Sequence, residues 1–341
     1  MRVYRRGDDG PEILDIQQRL IELGYDLPPG EAAGAFGDAT HDAVRAFQLE
    51  RHLRVDGVVG PDTWGQLVEA GFRLGDRTLY VHAPYLRGDD VRALQRKLDA
   101  LGFDPGKQDG MYGPSTDAAV RDFQRNVGEQ PDGVVGLHTL AVLERMRPLD
   151  GVPGRRLVRE TEELRHRGRG KVRGRVIAID PGSPGPGEPD HAHRALTRAL
   201  VAELARLGAE PHALDPELSP SDRASRANAL GAEVCVSLHM GEGVPEASGP
   251  TCSYFGSQVT HSPAGRHLAD LILAELEREV GVRGRLQRLS AAMLRETVMP
   301  AVQVEALVAS NEVEAALLDA PDVLVGLGRA IGEGVRRYFE G

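Results

Sequence analysis

Three apolar runs in the second half of the chain each end on, or enclose, a titratable group. Val176-Ile177-Ala178-Ile179 leads into Asp180-Pro181-Gly182, Val234-Cys235-Val236-Ser237-Leu238 leads to His239, and Val302-Gln303-Val304 and Ala306-Leu307-Val308 enclose Glu305. Each run has the length and composition of a buried strand. A polar group buried in such a strand costs free energy unless it is paired or put to use. The turn at the carboxyl end of a strand in an α/β sheet is a common place for a ligand. The loop after the first run, Ser183 to His193, is rich in glycine and invites comparison with a phosphate cradle. It lacks the Gly-x-Gly-x-x-Gly pattern, and Pro184, Pro186 and Pro189 remove backbone N–H groups that a cradle needs. Phosphate binding of that kind is excluded.

The elements that would position these groups follow from periodicity. Leu196, Leu200, Leu204 and Leu207 form one helical face that Gly208 should end. Thr251–Gly256 reads as a further strand, and 264–280 as an amphipathic helix carrying Leu268, Leu271, Ile272 and Leu276. Leu324, Leu327, Ile331 and Val335 make a closing helix, while His261 and His267 read as surface residues. Residues 171–341 are therefore expected to form a mixed α/β sheet with helices on both faces.

The front half is one module written twice. Gln17, Leu20, Leu23, Gly24 and Tyr25 return as Gln95, Leu98, Leu101, Gly102 and Phe103. Phe36-Gly37, Thr40, Ala43-Val44 and Phe47-Gln48 return as Tyr112-Gly113, Thr116, Ala119-Val120 and Phe123-Gln124, and the run from Asp56 to Gly60 returns unchanged from Asp132 to Gly136. Each copy reads as three short helices, with Asp38 as an N-cap, Pro61 in the first turn of a third helix, and the two glycines of Asp-Gly-Val-Val-Gly at positive φ.

The formal charge of −10 argues against a general nucleic-acid binder, and two cysteines, Cys235 and Cys252, do not make a disulfide scaffold. The amino terminus enters the first module with no apolar leader, and no run is long enough to span a membrane, so a cytoplasmic location is expected. Residues 148–174 hold loop punctuation and then the basic residues Arg155, Arg156, Arg159, Arg165, Arg167, Arg169, Lys171 and Arg173, with Arg175 just beyond. They read as a basic, solvated linker that includes a short helix over 157–166.

Asp180-Pro181-Gly182, Ser237-Leu238-His239, Glu305 and Asn311, in this order, resemble the zinc-dependent N-acetylmuramoyl-L-alanine amidases, which cut the bond between sugar chain and stem peptide in peptidoglycan. The segment from Ser221 to His239 resembles theirs closely. The resemblance implies an α/β domain at 175–341, His239 as a zinc ligand and Glu305 as the general base. It departs at Ser183, which stands where the first histidine ligand belongs. The glutamate ligand of the family falls by count at Pro189, which leaves neighbouring Glu188 as a candidate metal residue and Asp190, His191 and His193 as substitutes. His191 and His193 could chelate together from an extended loop, but residues two apart share no helical face. Leu307-Val308 replaces the family's Gly-Phe. Both front copies resemble the three-helix peptidoglycan-binding domain, over 6–71 and 86–145. The implied organisation is 1–74 and 78–147 as binding modules, 148–174 as linker and 175–341 as an amidase-like domain, the layout of CwlM-like regulatory amidase homologues.

The expectation is a protein that has lost the zinc site and acts by binding peptidoglycan fragments or precursors, as a regulator whose partner would be a cytoplasmic enzyme of precursor synthesis. Zinc, general-base catalysis by Glu305 and amide hydrolysis belong to the alternative, a rearranged but active site. A wall adaptor working only through its front modules is a third reading. Without zinc, Glu305 is expected to pair with something buried, such as an arginine or a backbone amide.

Overall fold

A computed structural model of the chain describes residues 3–28, 30, 33–146, 170–182, 190–241, 247–256 and 260–341. The chain forms two units, Met1–Arg159 and Glu160–Gly341. Most of the expected linker, residues 148–169 with its helix, lies outside the described residues, as do Ser183 and Glu188.

The first unit holds α1 (Pro11–Glu22), α2 (Asp38–Glu50) and α3 (Pro61–Glu69), then α4 (Asp89–Ala100), α5 (Pro114–Asn126) and α6 (Leu137–Arg145). Each trio closes on its own core, Ile13, Ile16, Leu20, Val44 and Phe47 in one and Val91, Leu94, Leu98, Val120 and Phe123 in the other. The repeated glutamines are ties as well as markers. Buried Gln48 donates through Nε2 to Asp56 Oδ1 at 2.7 Å and to the Val58 carbonyl at 2.9 Å, and accepts from the Gly57 amide at 2.8 Å. Gln124 repeats the pattern with Asp132, Val134 and Gly133. Arg51 then clasps Asp89 of the second trio at 2.7 and 2.9 Å.

Two details differ from expectation. Asp38 is not a cap: Gly37 holds that position without a side-chain bond, and Asp38 lies in the first turn, paired with Arg6, where a carboxylate favours the helix dipole. Of the two glycines in each Asp-Gly-Val-Val-Gly, only Gly57 and Gly133 have positive φ. Gly60 and Gly136 are extended N-caps of α3 and α6.

The second unit is a six-stranded sheet with helices on both faces. Its elements are β1 (Val176–Asp180), α7 (Asp190–Arg206), β2 (Glu210–Ala213), α8 (Pro220–Ala229), β3 (Val234–Gly241), β4 (Thr251–Phe255), α9 (Pro263–Val280), β5 (Arg285–Leu289), α10 (Ala292–Glu296), β6 (Ala301–Val308), α11 (Glu312–Leu317) and α12 (Pro321–Glu340). The strand order is β2-β1-β3-β6-β4-β5, parallel except that β4 runs antiparallel to β6. The edge strands β2 and β5 escape a reading by apolar runs because both are polar and largely exposed. Helix α7 ends as expected before Gly208, at φ +86°. β3 continues past His239 to Gly241, with a register shift at that point against β6.

One face is apolar throughout. Ile177, Ile179, Val236, Leu238, Val302 and Val304 pack under α7, α9 and α12. Each fully buried aliphatic side chain contributes about 1.5–3 kcal/mol. Helix α12 seats closely because two glycines lie at its contacts: a Cβ at Gly328 would fall 2.6 Å from Ala199 Cβ of α7, and one at Gly334 2.6 Å from Ile272 Cα of α9. The other face is apolar only at one end, where Ala178, Cys235, Phe255 and Ala301 meet α8 and α10.

Gly334→Ala is therefore expected to destabilise the second unit by about 1–3 kcal/mol, as overpacking against a backbone does. Gly65→Ala in α3, where an added Cβ meets nothing within 4 Å, should be neutral or stabilising by about 0.5–1 kcal/mol. Urea unfolding of both variants measures the contrast.

Candidate functional site

The polar half of the second face is built from strand alternation. Residues two apart on a strand share a face. Register then places Asp180 (β1), Ser237 (β3), Gln303 (β6), Ser253 (β4) and Gln287 (β5) in one row across the sheet. The next row is His239 (β3), Glu305 (β6), Thr251 (β4) and Arg285 (β5). The three groups singled out by their apolar runs thus meet on one polar surface at the carboxyl ends of β1, β3 and β6.

Asp180 is its foundation. It is fully buried, and Arg223 of α8, 2% exposed, places Nε 2.8 Å from Asp180 Oδ1. Arg223 also donates from Nη1 to the carbonyls of Leu218 at 2.7 Å and Pro216 at 3.2 Å. The Gly182 amide donates to Asp180 Oδ1 at 3.0 Å, closing the turn after β1. Gly182 has φ +69°, and a Cβ there would lie 2.2 Å from the Leu238 carbonyl oxygen, so only glycine lets the turn lie against β3.

The same carboxylate orients His239. The Ser237 hydroxyl donates to Asp180 Oδ2 at 2.6 Å, and its oxygen lies 3.0 Å from His239 Nε2. A hydroxyl has one proton, and here it is committed to the carboxylate. Ser237 therefore accepts from His239 Nε2–H, and in the neutral ring the lone pair falls on Nδ1. Glu305, opposite His239 in register and half-buried, accepts from Gln303 Nε2 at 3.3 Å. One partner of Glu305 is thus the neighbouring Gln303 side-chain amide, 7% exposed. Burial, and after it the Glu305 carboxylate, push the Cys252 thiol well above its usual range, so this free cysteine stays protonated.

The loop histidines separate. His191 is exposed, with Nε2 2.8 Å from Asp319 Oδ1. His193 is 2% exposed in the first turn of α7, and its Nδ1 lies 3.2 Å from the Pro181 carbonyl oxygen, to which it donates. Both are thus polar residues at the start of α7, His191 exposed and His193 buried. Asp190 opens α7, but its side chain lies outside the described residues with Ser183 and Glu188. Among the described residues, no group of three or more His, Cys, Asp or Glu side chains is placed to hold a metal ion. The described residues alone do not make a zinc site.

Two positioning devices lacked a role in the sequence reading. Arg223 was legible only as a demand: a buried Asp180 needs a cation. The other is on α11. Asn311 caps the helix through the amides of Val313 and Glu314, and holds the Ala247 carbonyl at 3.0 Å. Buried Glu314 accepts from the amides of Val308 and Gly249, each at 2.7 Å. Together they pin the segment before β4 to the end of β6.

An N-acetylmuramoyl-L-alanine amidase profile matches residues 180–337, and a peptidoglycan binding domain profile matches 9–67 and 87–143. The chain is 36% identical to the N-acetylmuramoyl-L-alanine amidase CwlM of Mycobacterium tuberculosis over 365 aligned positions, covering 98% of this chain and 89% of that one. It is 34% identical to the amidase CwlL of Bacillus licheniformis over 42% of this chain and 46% of that one. Among solved structures, the amidase Ami1 of Mycobacterium smegmatis aligns at 21% identity and TM-score 0.46, over 50% of this chain and 98% of that one.

Removing the cation from the buried pair should be severe. Arg223→Met is expected to cost about 3–5 kcal/mol, because it strands the Asp180 carboxylate. Ser237→Ala, which removes one link between Asp180 and His239, should cost about 1–3 kcal/mol. Chemical denaturation gives both values, and equal costs would contradict Asp180 as the foundation.

Proposed function

The chain belongs to the N-acetylmuramoyl-L-alanine amidase family, and from that premise we propose that it serves cell-wall metabolism by binding, with the family's zinc site degenerate. The proposed division is two peptidoglycan-binding modules at 1–74 and 78–147, a basic linker at 148–174 and the amidase-like domain at 175–341. The proposed ligands are peptidoglycan fragments or precursors, and the proposed role is regulation of precursor synthesis through a protein partner.

One observation carries this reading: Ser183 follows Asp180-Pro181-Gly182 where the family places its first histidine. Zinc is held by Cys, His, Asp or Glu, and a serine hydroxyl is not among these ligands. Two further facts support it. His191, one potential substitute, is engaged with exposed Asp319. Glu305 is engaged by Gln303. The scaffold of Asp180, Arg223 and Ser237 keeps a polar surface formed without supplying the full ligand set.

A second reading, an active amidase with a rearranged zinc shell, is favoured by His193. Its ring is buried and Nδ1 donates to a backbone carbonyl, which is how metal-ligating histidines are commonly held. In that reading His239, His193 and a residue near Glu188 hold the ion, and Glu305 is the base.

Zinc content of chain purified without chelator separates the two. The expectation is metal far below stoichiometry, no cleavage of muropeptides, and retention of the chain on intact sacculi. About one zinc per chain, lost in both His239→Ala and His193→Ala, together with amide cleavage abolished by Glu305→Gln, would replace the binding reading with the enzymatic one.

A further inference from the structure

The two front modules differ in the segment that leads into the first helix of each. In the first, backbone bridges pair Tyr4 with Val59 and Asp9 with Ala35; in the second, Leu79 with Val135 and Arg87 with Met111. Five positions separate Tyr4 from Asp9, but eight separate Leu79 from Arg87. The shorter segment is charged and tight: Arg5, Arg6 and Asp8 surround Gly7 at φ +94°, and the Arg5 amide donates to Asp8 Oδ2 at 2.8 Å. The longer one reads Leu79-Tyr80-Val81-His82-Ala83-Pro84-Tyr85-Leu86 and carries no Asp, Glu, Lys or Arg, in a chain of which 27% is charged.

All six residues from Tyr80 to Tyr85 are exposed, with Tyr80 and Val81 at 42% and Tyr85 at 40%. The loop is nevertheless braced. The His82 ring stands edge-on to Tyr80 at 5.9 Å, and His82 Nδ1 lies 3.1 Å from the Pro84 carbonyl oxygen. Its foot is anchored by fully buried Leu79. Aromatic side chains held out on a braced loop expose flat apolar area at little further cost in conformational entropy.

We propose that this loop is a sugar-stacking platform that gives the second module a preference for the glycan strand of peptidoglycan. The C–H face of a pyranose ring is flat, weakly apolar and neutral, and it matches exposed, uncharged phenol rings whose hydroxyls can bond to the sugar's own. A stem peptide, with its carboxylates, or an anionic lipid headgroup would call for arginine or lysine, and this loop has neither. The first module lacks the platform because its shorter segment is charged and its Tyr4 is packed against the module core. The proposal rests on the reading of the front modules as peptidoglycan binders and is independent of the state of the zinc site.

The test uses the full chain with peptide-free glycan strands of alternating N-acetylglucosamine and N-acetylmuramic acid, with free stem peptides, and with intact sacculi. Calorimetry should show glycan binding that Tyr80→Ala/Tyr85→Ala weakens by about tenfold or more, at unchanged melting temperature. Tyr80→Phe/Tyr85→Phe should retain most of it. Glycan affinity unchanged by the alanine pair overturns the proposal, as does binding of stem peptides without glycan. Loss of self-association in the alanine pair at unchanged glycan affinity also overturns it and assigns the loop to a second copy of the chain. Retention on intact sacculi in any of these cases leaves the general binding reading standing; failure of the unaltered chain to bind sacculi or glycan removes both.

Discussion

A carboxylate buried at the end of a central strand cannot stand alone. Asp180 is out of water, and Arg223 is the cation that makes its charge tolerable. Other features are arranged around that pair. Arg223 ties α8 to the sheet and gathers the carbonyls that precede the helix. The free lone pairs of Asp180 then take the Gly182 amide, which shapes the turn, and the Ser237 hydroxyl, which sets the ring of His239. One ion pair therefore determines the path of a loop, the seat of a helix and the tautomer of a histidine on the next strand.

The duplicated modules show the same economy with neutral groups. A buried glutamine amide offers two donors and an acceptor, enough to close a turn that has no strand to pair with. Gln48 and Gln124 do this for equivalent turns, and Gln17 and Gln95 do it for the preceding ones. With their ties kept, the modules vary at the segment leading into the first helix of each.

Much of this was legible in the sequence. The internal repeat, the three site-bearing strands and the closing helix all declare themselves through apolar periodicity, which reflects burial directly. Periodicity is silent where burial is partial, so the polar edge strands β2 and β5 were missed. It is silent too about partners across sequence: nothing local ties Arg223 to Asp180, and Gln303 looked like one polar residue in a run before register set it beside Ser237. Asp38 was misread because its type suits a cap, whereas Gly37 needs no side chain to occupy that position.

Strand β6 carries two kinds of information on alternate residues. Val302, Val304 and Ala306 face the helices and hold the fold; Gln303 and Glu305 face the polar surface. The two sets lie on opposite faces of the sheet, so inheritance can treat them separately. Substitutions of Gln303 or Glu305 can change the chemistry while the apolar packing of the same strand stays in place, and substitutions on the apolar side are purged whatever the chemistry has become. A lineage of such chains can thus keep its silhouette long after its trade has changed, and resemblance of core residues among its members records shared ancestry more faithfully than shared occupation.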